Sequence, residues 1–246
     1  MAINKAKIIT VTSVKGGTGK TTTVLNLAGL LALSKIKTVI VDLDLYSGAV
    51  AASLNVKTSN NVFTCTNDIM NNRFKQIEDY VASYNDYIDV IAAPNDPRSS
   101  NKISPKYIEI LINRLSLQYE VILIDTNHSI DKTNLTAFDI SDMVLYVISS
   151  DLMDIKNMRT ISAIYNDMGV KTYRILLNDA LPNKSHYSIY DISNMLDADI
   201  NYVLPKSFYN KNIAKDVEKG KIMTLEKGFS KSKGSLILEE ILKEMR

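Results

Sequence analysis

The chain has no tryptophan, one cysteine, five prolines and nine glycines in 246 residues. A single cysteine forms no disulfide within the chain, and one subunit can build neither a cysteine-ligated zinc site nor an iron–sulfur cluster. A reducing, cytosolic compartment fits that usage. Long apolar runs are also missing: stretches such as Leu30–Leu33 fall far short of the roughly 18 residues that cross a bilayer. The opening Met1–Gly17 has no small-residue cleavage site, and Thr and Ser alternate with its Ile and Val, which argues against a secretory leader. Excess charge of one sign is absent too. Lys plus Arg number 29 and Asp plus Glu 27, a net +2, so the chain is not built mainly to hold nucleic acid by bulk charge.

What remains is ordinary globular material. Hydrophobic residues make up 46% and charged residues 23%, values that exclude wholesale disorder. Short β-branched runs alternate with longer amphipathic segments along the whole length. Strands are predicted at Lys7–Ser13, Thr38–Asp42, Tyr87–Ala92, Val121–Asp125, Met143–Ser149, Thr172–Asn178 and Asn201–Leu204. They are apolar on consecutive positions, as strands covered on both faces must be. Helices are predicted at Thr21–Lys35, Pro105–Leu117, Asp154–Met168, Tyr187–Met195 and Ser235–Met245. Pro105 suits a first turn and Gly169 a C-terminal cap. This rhythm predicts an α/β fold, a single doubly wound, mostly parallel sheet flanked by helices. No linker or repeat interrupts it, so residues 1–246 read as one domain of enlarged size.

The decisive segment lies between the first strand and the first helix: Val14-Lys15-Gly16-Gly17-Thr18-Gly19-Lys20-Thr21-Thr22. Its glycines Gly16, Gly17 and Gly19 let backbone N–H groups turn inward into an anion-binding nest. The helix that follows adds its positive N-terminal end and unpaired N–H groups. Lys20 is placed to meet the β- and γ-phosphates of a nucleotide, and the Thr21 hydroxyl to ligate Mg²⁺. Val121-Ile122-Leu123-Ile124-Asp125 has the form of a Walker-B strand, with Asp125 as the further Mg²⁺ partner. Asp42 and Asp44, two apart at a strand's carboxyl end, point to the same metal–phosphate centre.

The loop departs from the ordinary G-x-x-x-x-G-K-[ST] pattern, because Val14 stands at the first glycine and Lys15 adds a second lysine at the front. In this it resembles the deviant Walker-A ATPases of the ParA/MinD superfamily, and the resemblance extends over nearly the whole chain. It implies an ATP- and Mg²⁺-dependent homodimer in which Lys15 reaches the partner's phosphates in trans. It further implies that Asp44 orients or deprotonates the attacking water, that Asp42 lies near Mg²⁺, and that Asn178 and the segment around Pro205 line the purine. After Asp125 the chain reads Thr126-Asn127-His128 where the family often has Asp-x-Pro-Pro; His128 receives no role.

Within the superfamily, Asp42-Leu43-Asp44-Leu45-Tyr46-Ser47-Gly48 looks closer to the CpaE/TadZ pilus-assembly type, as do the segments around Asp151–Arg159 and Ser188–Ile192. That implies a protein partner and a positional output. Partition ATPases that bind nonspecific duplex DNA are the rival: from Lys206 to Arg246 there are ten Lys/Arg and six Asp/Glu, a local +4. A scaffold that binds ATP and dimerises with scarcely any hydrolysis also stays open. A basic membrane anchor does not fit the terminal segment, whose polar face carries Glu239, Glu240 and Glu244 beside Lys243. The location expected is cytoplasmic, peripheral at most to membrane or nucleoid.

Overall fold

The computed structural model describes residues 5–180, 187–209 and 213–244. Its strands are β1 (Lys7–Thr12), β2 (Thr38–Leu43), β3 (Ala82–Asn85), β4 (Ile88–Ile91), β5 (Val121–Thr126), β6 (Met143–Ile148), β7 (Tyr173–Asn178) and β8 (Tyr202–Leu204). They form an eight-stranded sheet in the order β3-β4-β2-β5-β1-β6-β7-β8. Every pairing is parallel except β3 with β4. The expected mostly parallel sheet is therefore the one observed.

Each apolar strand divides its side chains between two faces, since successive residues point opposite ways. Ile9, Val11, Ile40 and Leu123 face a core with α1 (Lys20–Leu33) and the terminal helix Lys233–Glu244. Their neighbours Ile8, Val39, Val41, Ile122 and Ile124 face the opposite core. There they meet α3 (Val62–Met70) and α4 (Pro105–Leu115), which follow the short α2 (Val50–Ser53) in the chain. On the same side, Tyr146, Ile148, Ile175 and Leu177 pack on α6 (Leu152–Met168) and α7 (Ile189–Leu196). α5 (Lys132–Asp139) precedes α6, and α8 (Ile213–Glu218) precedes the terminal helix, α9.

Pro105 occupies the first turn of α4, and Gly169 ends α6 with φ 69°, the left-handed cap expected of it. Periodicity did not disclose β3, α2, α3, α5 or α8. Segment 62–70, VFTCTNDIM, begins with β-branched and aromatic residues that favour strands. A capping box overrides that preference: the Asn61 side chain accepts from the Thr64 amide while the Thr64 hydroxyl accepts from the Asn61 amide. Cys65 is buried there, and burial pushes its thiol up to about 12.

The apolar stripe of α9 turns inward, with Leu238 and Ile241 fully buried and Leu242 nearly so. Glu244 at its end pairs with Arg174 and accepts from the Tyr202 hydroxyl. The stripe is thus occupied by the protein's own core. Met245 and Arg246, in the expected terminal helix and basic segment, lie outside the described residues, as does Lys211. Among the described residues no helix is long and apolar enough to cross a membrane.

Candidate functional site

β1 lies between β5 and β6, and β5 lies between β1 and β2. This arrangement gathers three strand ends at one point of the sheet's carboxyl edge, the usual ligand position of open α/β sheets. β1 delivers the loop 13–20, β5 delivers Asp125 and β2 delivers Asp42. Asp42 and Asp125 are direct register partners on adjacent parallel strands.

The loop turns through Gly17 at φ 79° and Gly19 at φ 98°, conformations that favour glycine. Gly19 is fixed by space as well. A Cβ there would stand 2.6 Å from Asn178 Nδ2 and 2.8 Å from the Tyr209 hydroxyl oxygen. Lys20 is buried, and its Nζ donates to Ser13 Oγ at 3.0 Å. Burial lowers the pKa of its ammonium, while Asp125, Asp44 and Asp154 pull it back up. Thr21 Oγ1 donates to Asp125 Oδ2 at 2.6 Å.

Asp125 is 1% exposed, and its Oδ1 is buried with no hydrogen-bond partner. Desolvation raises its carboxyl to about 7, with Asp44 adding to the rise and Thr21 and Lys20 opposing it. A buried carboxylate with one oxygen unmet beside a threonine hydroxyl suits a divalent cation completed by phosphate and water. Among the described residues no group of three or more His, Cys, Asp or Glu is placed to hold a metal unaided.

Asp42 is spent differently from Asp125. Its Oδ1 accepts from the Asp44 amide at 3.1 Å and its Oδ2 from the Val50 amide at 3.1 Å. It shapes the β2–α2 turn from inside, and burial, with Asp125 second, raises its pKa well above the carboxylate range. The turn passes so close that a Cβ on Gly48 would lie 2.7 Å from Asp42 Oδ2. The first free amide of α2 is therefore Asp42's, and Asp44 instead accepts from Ser47 at 3.2 Å. Asp44 stays half-buried at the site's rim.

Lys15 is exposed. Its Nζ lies 3.1 Å from Oδ1 of Asp151, the residue that caps α6. That contact holds the Asp151 carboxyl below its ordinary range. On the far side of the loop, fully buried Asn178 donates from Nδ2 to the Thr18 carbonyl at 2.9 Å and to the Tyr209 hydroxyl at 2.8 Å. Pro205 follows β8, and its carbonyl accepts from the Phe208 amide at 2.8 Å in the turn that leads to Tyr209.

The site thus brings together Lys20, Thr21, Asp42, Asp125 and Asn178, with Lys15 and Asp44 at its rim. Motif reading did not single out Ser13, which opens the loop, or Asp151, Asp154 and Tyr209, which lie far from it in the chain. His128 lies beside it, its Nδ1 3.9 Å from where a Gly16 Cβ would be. The segment after Asp125 is braced without prolines: Asn127 Oδ1 accepts from the Ser129 amide and from Asn134 Nδ2, both at 2.8 Å.

Residues 9–222 match the model of the CobQ/CobB/MinD/ParA nucleotide-binding domain. The chain belongs to that family. It is 27% identical over 235 residues to an uncharacterised ATP-binding protein of Methanocaldococcus jannaschii, covering 92% of this chain and 83% of the relative. A ParA family ATPase from Chlorobium tepidum superposes with TM-score 0.82 at 20% identity, over 97% of this chain and 98% of that one. The septum site-determining protein MinD of Pyrococcus horikoshii, complexed with Mg-ADP, gives 0.77 at 20% identity, over 97% and 95%. Likenesses at that identity establish a shared fold, and the family match places the nucleotide-binding domain over the loop and both acidic strands.

Proposed function

We propose that this member of the MinD/ParA family is a Mg²⁺-ATP-dependent dimerising switch, with residues 1–246 acting as one ATPase domain. The observation that carries the reading is the Thr21–Asp125 pair, which leaves Asp125 Oδ1 unmet beside Lys20. Lys20 and the amides of Gly16 to Thr22 bind the phosphates. Thr21 and Asp125 hold Mg²⁺, which when bound offsets phosphate charge. Asp42 supports them by keeping the β2–α2 turn in place. Asp44, at the rim and within electrostatic reach of Lys20, positions the attacking water. Lys15, the exposed lysine at the loop's front, adds charge to the partner's phosphates only when two subunits meet, the logic of an arginine finger. Asn178 and the turn from Pro205 flank the purine.

The output we propose is positional: the ATP-bound dimer recruits a protein partner of a pilus- or secretion-type assembly, and slow hydrolysis releases it. A partition role on nonspecific DNA is the second reading, favoured by the local +4 of Lys206–Arg246. Sedimentation of the ATP and ADP forms, with and without duplex DNA, separates them. DNA carried only by the ATP dimer supports partition, and an ATP dimer indifferent to DNA supports the pilus-type role. No ATP-dependent change in mass, with no nucleotide binding lost in Lys20→Ala, contradicts the switch itself.

A further inference from the structure

Tyr209 is a polar side chain in direct contact with the candidate site that the function above leaves unused. Its hydroxyl accepts from Asn178 Nδ2, assigned above to the purine, at 2.8 Å. The phenol tip presses against the loop, which leaves no room for a Cβ on Gly19. Behind it Asn178 is 0% exposed, and its Oδ1 is buried without a partner. No purine can reach this amide while Tyr209 stays where it is.

We propose that Tyr209 is a gate over the purine end of the site, closed in the empty protein and displaced when a nucleotide enters. The proposal rests on the nucleotide reading above and adds to it an access step built from this chain's own residues. Moving the gate disturbs little else. The preceding residue, Phe208, is 1% exposed and anchored by its amide to the Pro205 carbonyl and by its ring to Phe229. Rotation therefore falls between a fixed Phe208 and a half-buried Tyr209, and it breaks the side-chain hydrogen bond to Asn178 without opening the core. After Tyr209 leaves, the Thr18 carbonyl still holds Asn178 Nδ2.

A closed gate weakens apparent affinity by the fraction of molecules that are open. A net hydrogen bond is worth about a factor of five, so Tyr209→Phe, which keeps the ring and deletes the bond to Asn178, tightens the apparent Kd roughly two- to tenfold. Stopped-flow mixing of the full chain with Mg²⁺ and N-methylanthraniloyl-ATP reads this chiefly as a faster association rate, and Tyr209→Leu moves the same way. Weaker ATP binding by Tyr209→Phe makes the hydroxyl a ligand and overturns the gate; unchanged rate and affinity overturn it too. Wild type lacking any Lys20-dependent binding overturns the nucleotide reading separately. In that case binding regained in Tyr209→Phe sustains the gate, and none regained removes it as well.

Discussion

Lys15 Nζ and Asp151 Oδ1 lie 3.1 Å apart within one subunit. The lysine assigned to a partner's phosphates is held at home, by the cap of α6. Both side chains are nearly half exposed, so the pair is weak and easily exchanged for a stronger anion. Asp151→Asn removes the charge while keeping a side chain of equal capping quality. ATP-driven dimerisation is then expected at about two- to fivefold lower protein concentration, read by sedimentation velocity. A midpoint that does not move shows that the pair does not restrain Lys15.

The two adjacent carboxylates set a pH dependence. Desolvation raises Asp125 to about 7 from 3.8, and Asp42 is raised as well. The folded protein thus keeps protons that the unfolded chain releases above pH 3.8. Stability is fully present below that point and is lost as pH rises through about 7. Nucleotide-free protein is expected to resist denaturant better at pH 5 than at pH 8. Asp125→Asn flattens the profile and adds on the order of 1–3 kcal/mol at pH 8. A wild-type profile that rises from pH 5 to pH 8 refutes this.

Thr21→Ala removes the donor that Asp125 Oδ2 now has. Calorimetric affinity for ATP is expected to fall at least about tenfold with Mg²⁺ present and to change little in EDTA. Equal losses in the two conditions reassign Thr21 from the metal to the phosphates.

Seven of the eight strands were legible because buried parallel strands leave continuous apolar runs, as in Val121–Ile124, and each run met a helix or a turn; the order of the strands was not. Lys20, Thr21 and Asp125 were legible because their chemistry fixes both residue type and neighbours. The place of Asp42 beside Asp125 was legible, but its bond to the Val50 amide was not, since that depends on how the β2 turn folds back. Asp151 and Tyr209 reach the loop only through tertiary packing of α6 and of the turn after β8, which no local pattern encodes. α3 was hidden by strand-favouring residues that a capping box overrules.

Gly19→Ala tests the packing over the loop. The position combines φ 98° with a Cβ 2.6 Å from Asn178 Nδ2. The substitution is expected to cost about 1–3 kcal/mol in denaturant unfolding and to abolish nucleotide binding. Full stability in that variant means Asn178 and Tyr209 give way freely.

The most direct test is the mass of Lys15→Ala and wild type in solution with Mg²⁺-ATP and with Mg²⁺-ADP. Wild type is expected to pass from one 27.5 kDa chain to two with ATP alone. Lys15→Ala is expected to bind ATP with nearly unchanged affinity and stay a single chain. A variant that dimerises with ATP as wild type does contradicts the trans role of Lys15, and a wild type that ignores ATP contradicts the switch.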